Sequence, residues 1–339
     1  MHELYKNISS RAASFAVAAI LAGVSTIAVS AAQWDAWVGA QSADLGNQAL
    51  AFLPNEFWIH SGDSIRFTFS TSELHTVTFL KSGQIRPPLN SPTTGTFVGC
   101  PGTTPDGSSF DGSACVSSGP STTGQTYSVN FPSANNFKLV CLVHTRMTGA
   151  IHVLPLSETL PHDQAFYDRQ AHREGSELLS DAYGLQGRGD AEGERTSGHE
   201  VIAGVSAILT NGGGSQTTSV MRFLGATTVA HVGDTVEWTN RATPPFHTVT
   251  FGMEPSSLGP PSPGVTLDLD GVRHAVISSP NQSVNSGLIG APNQETVGQP
   301  QAPLDFTRFR VTFTAPGTFH YICGLHDVLG MTGTVIVQP

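Results

Sequence analysis

Two short stretches decide the fold: Cys141-Leu-Val-His144-Thr-Arg-Met147 in the first half of the chain and Cys323-Gly-Leu-His326-Asp-Val-Leu-Gly-Met331 in the second. Each combines a thiol, an imidazole and a thioether in one loop. Each also follows an alternating apolar run, at residues 137–141 or 319–323, whose period of two predicts a half-buried strand. Because side chains alternate between the faces of a strand, we expect both cysteines to face a core.

These loops end the two halves of an internal repeat. The first half opens with His60-Ser-Gly-Asp and continues to His75-Thr-Val-Thr-Phe79, and the second opens with His231-Val-Gly-Asp and continues to His247-Thr-Val-Thr-Phe251. Both then close on a Met-Thr-Gly sequence. The histidines that open the two halves precede Gly-Asp and are interpreted as strand-end residues. A repeat of this length predicts two domains, at residues 33–155 and 201–339.

The composition indicates an all-β protein. Charged residues make up only 12% of the 339 residues, while 36 Gly and 22 Pro residues suit short strands joined by many turns. Most of the net charge of −10 falls on residues 156–200, between the predicted domains. Neither domain carries a basic patch, so we expect no nucleic-acid partner.

Residues 1–32 are interpreted as a secretory signal peptide. Lys6 and Arg11 precede an apolar run over residues 15–24, and small residues follow it. An uncleaved membrane anchor is the alternative, although the run is short for a complete span. Either interpretation predicts export to the periplasm, the cell surface or the medium. A membrane contact is expected only if the segment is retained as an anchor.

Residues 156–200 break the repeat and are interpreted as a helical and flexible linker. Residues 163–174 are rich in helix formers, and Leu178 and Leu179 continue an apolar stripe. We predict a short helix there, followed by a polar, glycine-rich tether at residues 184–194. In this interpretation the segment only connects the two domains.

Each half brings together the ligand types of a blue-copper centre. The loop supplies Cys, His and Met, and a distant strand supplies a second His. The two sets are His75, Cys141, His144 and Met147, and His247, Cys323, His326 and Met331. Two imidazoles, one thiolate and a weak axial thioether form a type 1 copper site. The predicted cofactor is therefore copper, as two type 1 Cu ions, one per domain.

On these motifs both halves resemble the cupredoxin family of blue, type 1 copper proteins, over about residues 50–155 and 205–339. The Cys-x-x-His-x-x-Met loop is similar to that of amicyanin, and the longer loop of the second half to those of plastocyanin and pseudoazurin. The resemblance implies two tandem Greek-key cupredoxin β-sandwich domains. It also implies that His144 and His326 lie near the surface, where electrons would enter and leave.

The other two cysteines have a different prediction. Four cysteines in an exported protein leave two disulfides as an alternative to metal binding. Cys100 and Cys115 flank a polar loop and are predicted to form a disulfide, which would stabilise the fold by about 3 kcal/mol if unstrained. A bond between Cys141 and Cys323 would have to join the cores of two separate domains.

These observations predict an exported electron carrier, a one-electron Cu(I)/Cu(II) shuttle for unidentified redox partner proteins, rather than an enzyme. A multicopper oxidoreductase similar to nitrite reductases or laccases is one alternative. Such enzymes typically have a His directly before the blue-copper Cys, where this chain has Val140 and Ile322, and laccases add His-x-His pairs, which the sequence lacks. A copper-storage, chaperone or sensor protein is the other alternative, because it would use the same ligands.

Overall fold

The repeated strand pattern folds into two β-sandwiches of matching connectivity. A computed structural model describes residues 31–87, 100, 102–195, 199–242, 245–290 and 304–339, so the predicted signal peptide lies almost wholly outside the described residues. The strands of domain 1 are β1 (Gln33–Gln41), β2 (Asn47–Leu53), β3 (Glu56–His60), β4 (Ser64–Phe69), β5 (Thr78–Phe79), β6 (Ser108–Ser109), β7 (Val116–Ser117), β8 (Thr126–Asn130), β9 (Asn135–Val140) and β10 (Thr148–Leu154).

Domain 2 repeats this series after a long helix. Its strands are β11 (Glu200–Asn211), β12 (Gly214–Leu224), β13 (Thr227–His231), β14 (Thr235–Arg241), β15 (Thr250–Phe251), β16 (Thr266–Leu267), β17 (Arg273–Ile277), β18 (Val284–Asn285), β19 (Arg308–Phe313), β20 (Gly317–Ile322) and β21 (Thr332–Gln338). The helices are α1 (Gln164–Arg195), α2 (Leu304–Thr307) and a 3-10 turn at Asp327–Leu329.

The strand orders of the two sandwiches correspond. One sheet of domain 1 runs β2-β1-β4-β8-β6 and the other β3-β10-β9-β5-β7, and domain 2 repeats them as β12-β11-β14-β19-β17, with β16 added at the edge, and β13-β21-β20-β15-β18. Alternate residues of the strands are buried, as in β4, where Ile65, Phe67 and Phe69 face the core. The prediction of an all-β fold with two tandem sandwich domains is therefore confirmed.

The two domains share one sheet. Strand β2 pairs antiparallel with β12, from Leu50 opposite Thr217 to Asn47 opposite Val220, and this pairing joins the two sheets into one of eleven strands. Every residue of β2 is buried, because one face packs into the core of domain 1 and the other lies under helix α1. The domains are thus fixed to each other through backbone hydrogen bonds as well as side chains.

Helix α1 replaces the predicted tether, and that prediction is wrong. The helix is 32 residues long and continues through the whole glycine-rich segment. It packs on β2 of domain 1 and on β11 and β12 of domain 2. A Cβ atom at Gly189 would lie 2.2 Å from Cδ1 of Leu224, and one at Gly193 would lie 2.9 Å from Cα of Gly225. Glycine at these positions therefore lets the helix approach the shared sheet closely, which outweighs its low helix propensity.

Each sandwich has its own apolar core. The core of domain 1 also contains Met221 and Leu329, which belong to domain 2, so apolar packing continues across the boundary between the domains. Phe309, Trp238 and Tyr321 lie in the core of domain 2. Within the described residues, no helix is long and apolar enough to span a bilayer.

Candidate metal centres

In domain 1, three predicted ligands converge at one end of the sandwich. The Cys141 sulfur lies 3.8 Å from Nδ1 of His144 and 3.9 Å from Nδ1 of His75, and the two nitrogens are 3.2 Å apart. His75 comes from the segment before β5, and the other two come from the loop after β9. All three side chains are buried.

Domain 2 repeats this arrangement. The Cys323 sulfur lies 3.4 Å from Nδ1 of His326 and 3.7 Å from Nδ1 of His247, and the two nitrogens are 3.0 Å apart. Among the described residues, these two groups are the clusters of His, Cys, Asp and Glu whose geometry could hold a metal ion. The sequence had predicted both sets of three.

The two predicted axial residues lie beside the clusters. Met147 and Met331 are fully buried. The backbone N–H of Cys141 donates to the carbonyl of Met147 over 3.1 Å, and that of Cys323 donates to the carbonyl of Met331 over 3.0 Å. Each loop thus returns to its own cysteine. The axial role of the two thioethers stays a prediction.

Two threonines, which the sequence analysis quoted without assigning them a role, fix the loops to the histidine strands. The backbone N–H of Thr76 donates to the Cys141 sulfur over 3.4 Å, and its hydroxyl accepts the N–H of Leu142 over 2.8 Å. In domain 2, Thr248 makes the same contacts with Cys323, at 3.4 Å, and with Gly324, at 2.8 Å. A hydrogen bond from an N–H group stabilises negative charge on sulfur, so each threonine orients the ligand and favours its thiolate.

A glycine in each domain makes room for the strand histidine. Gly39 and Gly204 have φ angles of +72° and +77°, and each lies where the pairing of its strand shifts register. A Cβ at Gly204 would lie 2.2 Å from Nε2 of His247, and one at Gly39 would lie 3.1 Å from Nε2 of His75. A side chain at either position would be strained in its backbone and would displace the imidazole. The signal in the sequence was a glycine at the same place in both repeats.

The thiols are set up to be thiolates. Burial raises the pKa of the Cys141 thiol, but hydrogen bonds and charge interactions with His144 and His75 outweigh burial and hold the pKa well below its ordinary value. For Cys323, burial is likewise outweighed by the charge of His326 and the hydrogen bond to His247, and its pKa is also well below the ordinary value. Thiolate is the form of cysteine that binds metals.

The donor sets fit a first-row transition metal ion. Such an ion lies about 2 Å from nitrogen and about 2.3 Å from sulfur, so three donors around it in a plane are about 3.5 Å apart. The observed separations within the two clusters run from 3.0 to 3.9 Å. Two imidazoles with one thiolate, in a trigonal arrangement beside a thioether, favour copper among such ions.

Each domain therefore combines a two-sheet Greek-key sandwich with a buried His-Cys-His cluster at one end. The fold is cupredoxin-like.

Comparison with solved structures finds similar chains at low identity. The oxidised form of plastocyanin from Dryopteris crassirhizoma is 18% identical over 41% of this chain and 99% of its own, with a TM-score of 0.22. Auracyanin B is 15% identical over 37% of this chain and 91% of its own, with a TM-score of 0.26. Blue copper oxidase from Nitrosomonas europaea is 12% identical over 90% of this chain and 86% of its own, with a TM-score of 0.22. No protein-family model and no curated protein matches the sequence.

Contrary to expectation, the loop histidines of the two cupredoxin-like domains are not at the surface. His144 is 1% exposed and His326 is 4% exposed. The two loops face each other across the domain boundary, and Glu73 lies between them: one carboxylate oxygen is 3.2 Å from Nε2 of His144 and the other 3.6 Å from Nε2 of His326. Docking of the second domain thus covers the face that a single cupredoxin would present to solvent.

Charge complementarity at this boundary is strong. Burial lowers the pKa of His326, but the charges of Cys323 and Glu73 outweigh it and raise the pKa to about 10. Hydrogen bonds to Cys141 and Glu73 likewise overcome burial and raise the pKa of His144 to about 9. The sequence analysis did not select Glu73, because its partners come from distant parts of the chain and it belongs to no motif.

The remaining cysteines are joined to each other. Cys100 and Cys115 form a disulfide with Cα atoms 5.2 Å apart, as predicted. Cys141 and Cys323 are free thiols in the structure, so the alternative of a bond between them is not observed. The disulfide closes a loop next to β7 and takes no part in either cluster.

Proposed function

We propose that the protein binds one copper ion in each domain and carries single electrons. The ligands in domain 1 are His75, Cys141 and His144, with Met147 in the axial position. The ligands in domain 2 are His247, Cys323, His326 and Met331. Bound copper would supply a Cu(I)/Cu(II) couple, and the chain would supply a site that suits both oxidation states.

The observation that carries this proposal is the pair of buried His-Cys-His clusters. Their donor atoms lie at ligand separations without an ion, and each cluster is held by the same Thr–Cys hydrogen bonds. A site that is shaped before the metal binds changes little when an electron arrives, and small reorganisation favours fast electron transfer. Burial also excludes water from the metal, which suits a carrier better than a catalyst that must bind substrate.

Export is part of the same proposal. The Cys100–Cys115 disulfide supports an oxidising compartment, since such bonds are rare in reducing ones. The charged and apolar pattern of residues 1–32 supports secretion by a signal peptide. The partners we propose are redox proteins, and contact with a membrane would require that the N-terminal segment remain attached.

The direct test is loading of the purified mature protein with Cu(II), followed by metal analysis, visible absorption and electron paramagnetic resonance. The expected result is two coppers per chain, both with the intense blue absorption and small hyperfine splitting of a Cu–thiolate centre. Reversible reduction without consumption of a substrate completes the test.

Other outcomes would overturn the proposal. Colourless binding of Cu(I) alone would indicate a storage or delivery protein. Oxygen consumption with a phenolic substrate, or reduction of nitrite, would indicate a multicopper oxidoreductase. Binding of zinc in preference to copper under competition would exclude the redox role altogether.

A further inference from the structure

Glu73 is a single carboxylate that serves both metal centres. It lies in the segment between β4 and β5, its side chain is 9% exposed, and its two oxygens contact the outer ring nitrogens of His144 and His326. Its own backbone N–H donates to the hydroxyl of Thr71 over 3.2 Å, which fixes the segment. The contacts reach one histidine from each domain.

This carboxylate breaks the repeat. Glu73 stands two residues before His75, and the same position in domain 2, two residues before His247, is Pro245. Proline carries no charge and no side-chain hydrogen-bonding group. The two-fold arrangement of ligands is therefore served by one acidic group, contributed by domain 1 alone.

Burial makes the contacts of Glu73 energetically necessary. A carboxylate removed from water is costly unless cations or donors compensate it. The charge of His326 and the hydrogen bond from His144 overcome the effect of burial and hold the pKa of Glu73 well below its ordinary value. When Nδ1 of each histidine binds a metal, the ring proton is on Nε2, which can donate to this carboxylate.

We propose that Glu73 couples the two copper centres into one redox pair. Its negative charge lies next to a ligand of each centre, so it favours the oxidised ion at both, and the path His144, Glu73, His326 links the centres inside the chain. One electron that leaves either centre reduces the other, with no proton or co-reactant required. This inference rests on the proposed function, since it assumes a copper ion at each cluster.

The test is to measure the reduction potential of each centre in Glu73→Gln. Parallel measurements in Cys141→Ser and Cys323→Ser backgrounds assign each potential to a domain. Glutamine keeps the size of the side chain but removes its charge, so both potentials are expected to rise, because the oxidised ion loses a stabilising negative neighbour. Glu73→Asp keeps the charge and is expected to restore most of the shift.

The matched control is Glu56→Gln. Glu56 also contacts a histidine, since its Oε1 lies 3.1 Å from Nε2 of His152, but neither residue belongs to a centre. This variant is expected to leave both potentials unchanged. A rise confined to domain 1, or equal shifts from both variants, would overturn the coupling, whereas two blue centres in Glu73→Gln would still support the proposed function.

A second measurement needs no metal. In the metal-free protein, Glu73→Gln is expected to shift the ring ¹⁵N signals of His144 and His326 and to leave those of His152 in place. Glu56→Gln is expected to do the reverse. If the signals of His326 did not respond to Glu73→Gln, the carboxylate would not reach across the domain boundary and the inference would be wrong.

Discussion

The two ligand loops use the same three residue types but meet the opposite domain differently. In domain 1 the loop from Cys141 to Met147 is short, and Arg86 donates to the carbonyls of His144 and Thr145 over 3.1 and 2.9 Å. In domain 2 the loop is two residues longer and contains the 3-10 turn at Asp327–Leu329. The additional turn places Leu329 in the core of domain 1.

This difference shows how a duplicated unit becomes an asymmetric pair. The ligands and the threonines that orient them are the same in both halves, because the metal chemistry fixes them. The residues that differ are those at the boundary: Leu329 projects from one loop only, and Glu73 is present in one half only. Arg222 of domain 2 adds to the boundary by donating to carbonyls of Asp44 and Leu329.

The largest effect is expected from removing one thiolate at a time. Cys323→Ser should abolish the blue absorption of domain 2 and leave that of domain 1, and Cys141→Ser should do the opposite, since the thiolate is the strong ligand of each centre. Visible absorption at full copper loading measures both. Two blue centres in either variant would refute the ligand assignment.

Leu329→Ala is expected to cost about 2–5 kcal/mol of the free energy of unfolding, because it leaves a cavity in the core of domain 1. Urea denaturation of the metal-free protein measures this loss. The matched control is Val328→Ala, whose side chain is 75% exposed and whose loss should change stability by less than about 0.5 kcal/mol. Equal losses in the two variants would show that the longer loop does not anchor the domains.

The axial residues offer a smaller effect. Met331→Leu and Met147→Leu should each retain copper and raise the potential of their own centre, because a thioether donor stabilises Cu(II) and leucine has no donor. Voltammetry on each variant measures the shift. An unchanged potential would argue that the methionine is core packing and not a ligand.

The smallest effects are expected in helix α1, between two glycines that differ in surroundings. Gly187 is exposed with no atom near its would-be Cβ, so Gly187→Ala should stabilise the protein by about 0.5–1 kcal/mol. Gly193→Ala should destabilise it, because the new methyl group meets the backbone of Gly225. Thermal unfolding compares the two. The same gain from both would mean that the helix does not pack closely on the shared sheet.

Much of each centre could be predicted from the sequence because its signals are local. The spacing of Cys, His and Met within one loop, the His-Thr-Val-Thr-Phe strand and the alternation of apolar residues all depend on strand geometry over a few residues. The predicted clusters of His75, Cys141 and His144, and of their counterparts, accordingly come together. The disulfide was predicted from loop composition and the redox compartment.

The wrong predictions concern how distant parts of the chain meet. A glycine-rich segment was predicted to be a tether because intrinsic propensity disfavours helix there, but close packing on the shared sheet outweighs that preference. The loop histidines were expected near the surface because the resemblance is to single-domain proteins. No local pattern indicates that a second domain covers them.

By itself the sequence determined two copies of a strand framework and two sets of metal-ligand residues, since these follow from period-two alternation and from the spacing of donors within a loop. Only the tertiary structure decided that β2 pairs with β12, that the two loops face each other and that Glu73 lies between His144 and His326. The physical reason is that burial and charge pairing across a domain boundary depend on surfaces assembled from residues far apart in the chain.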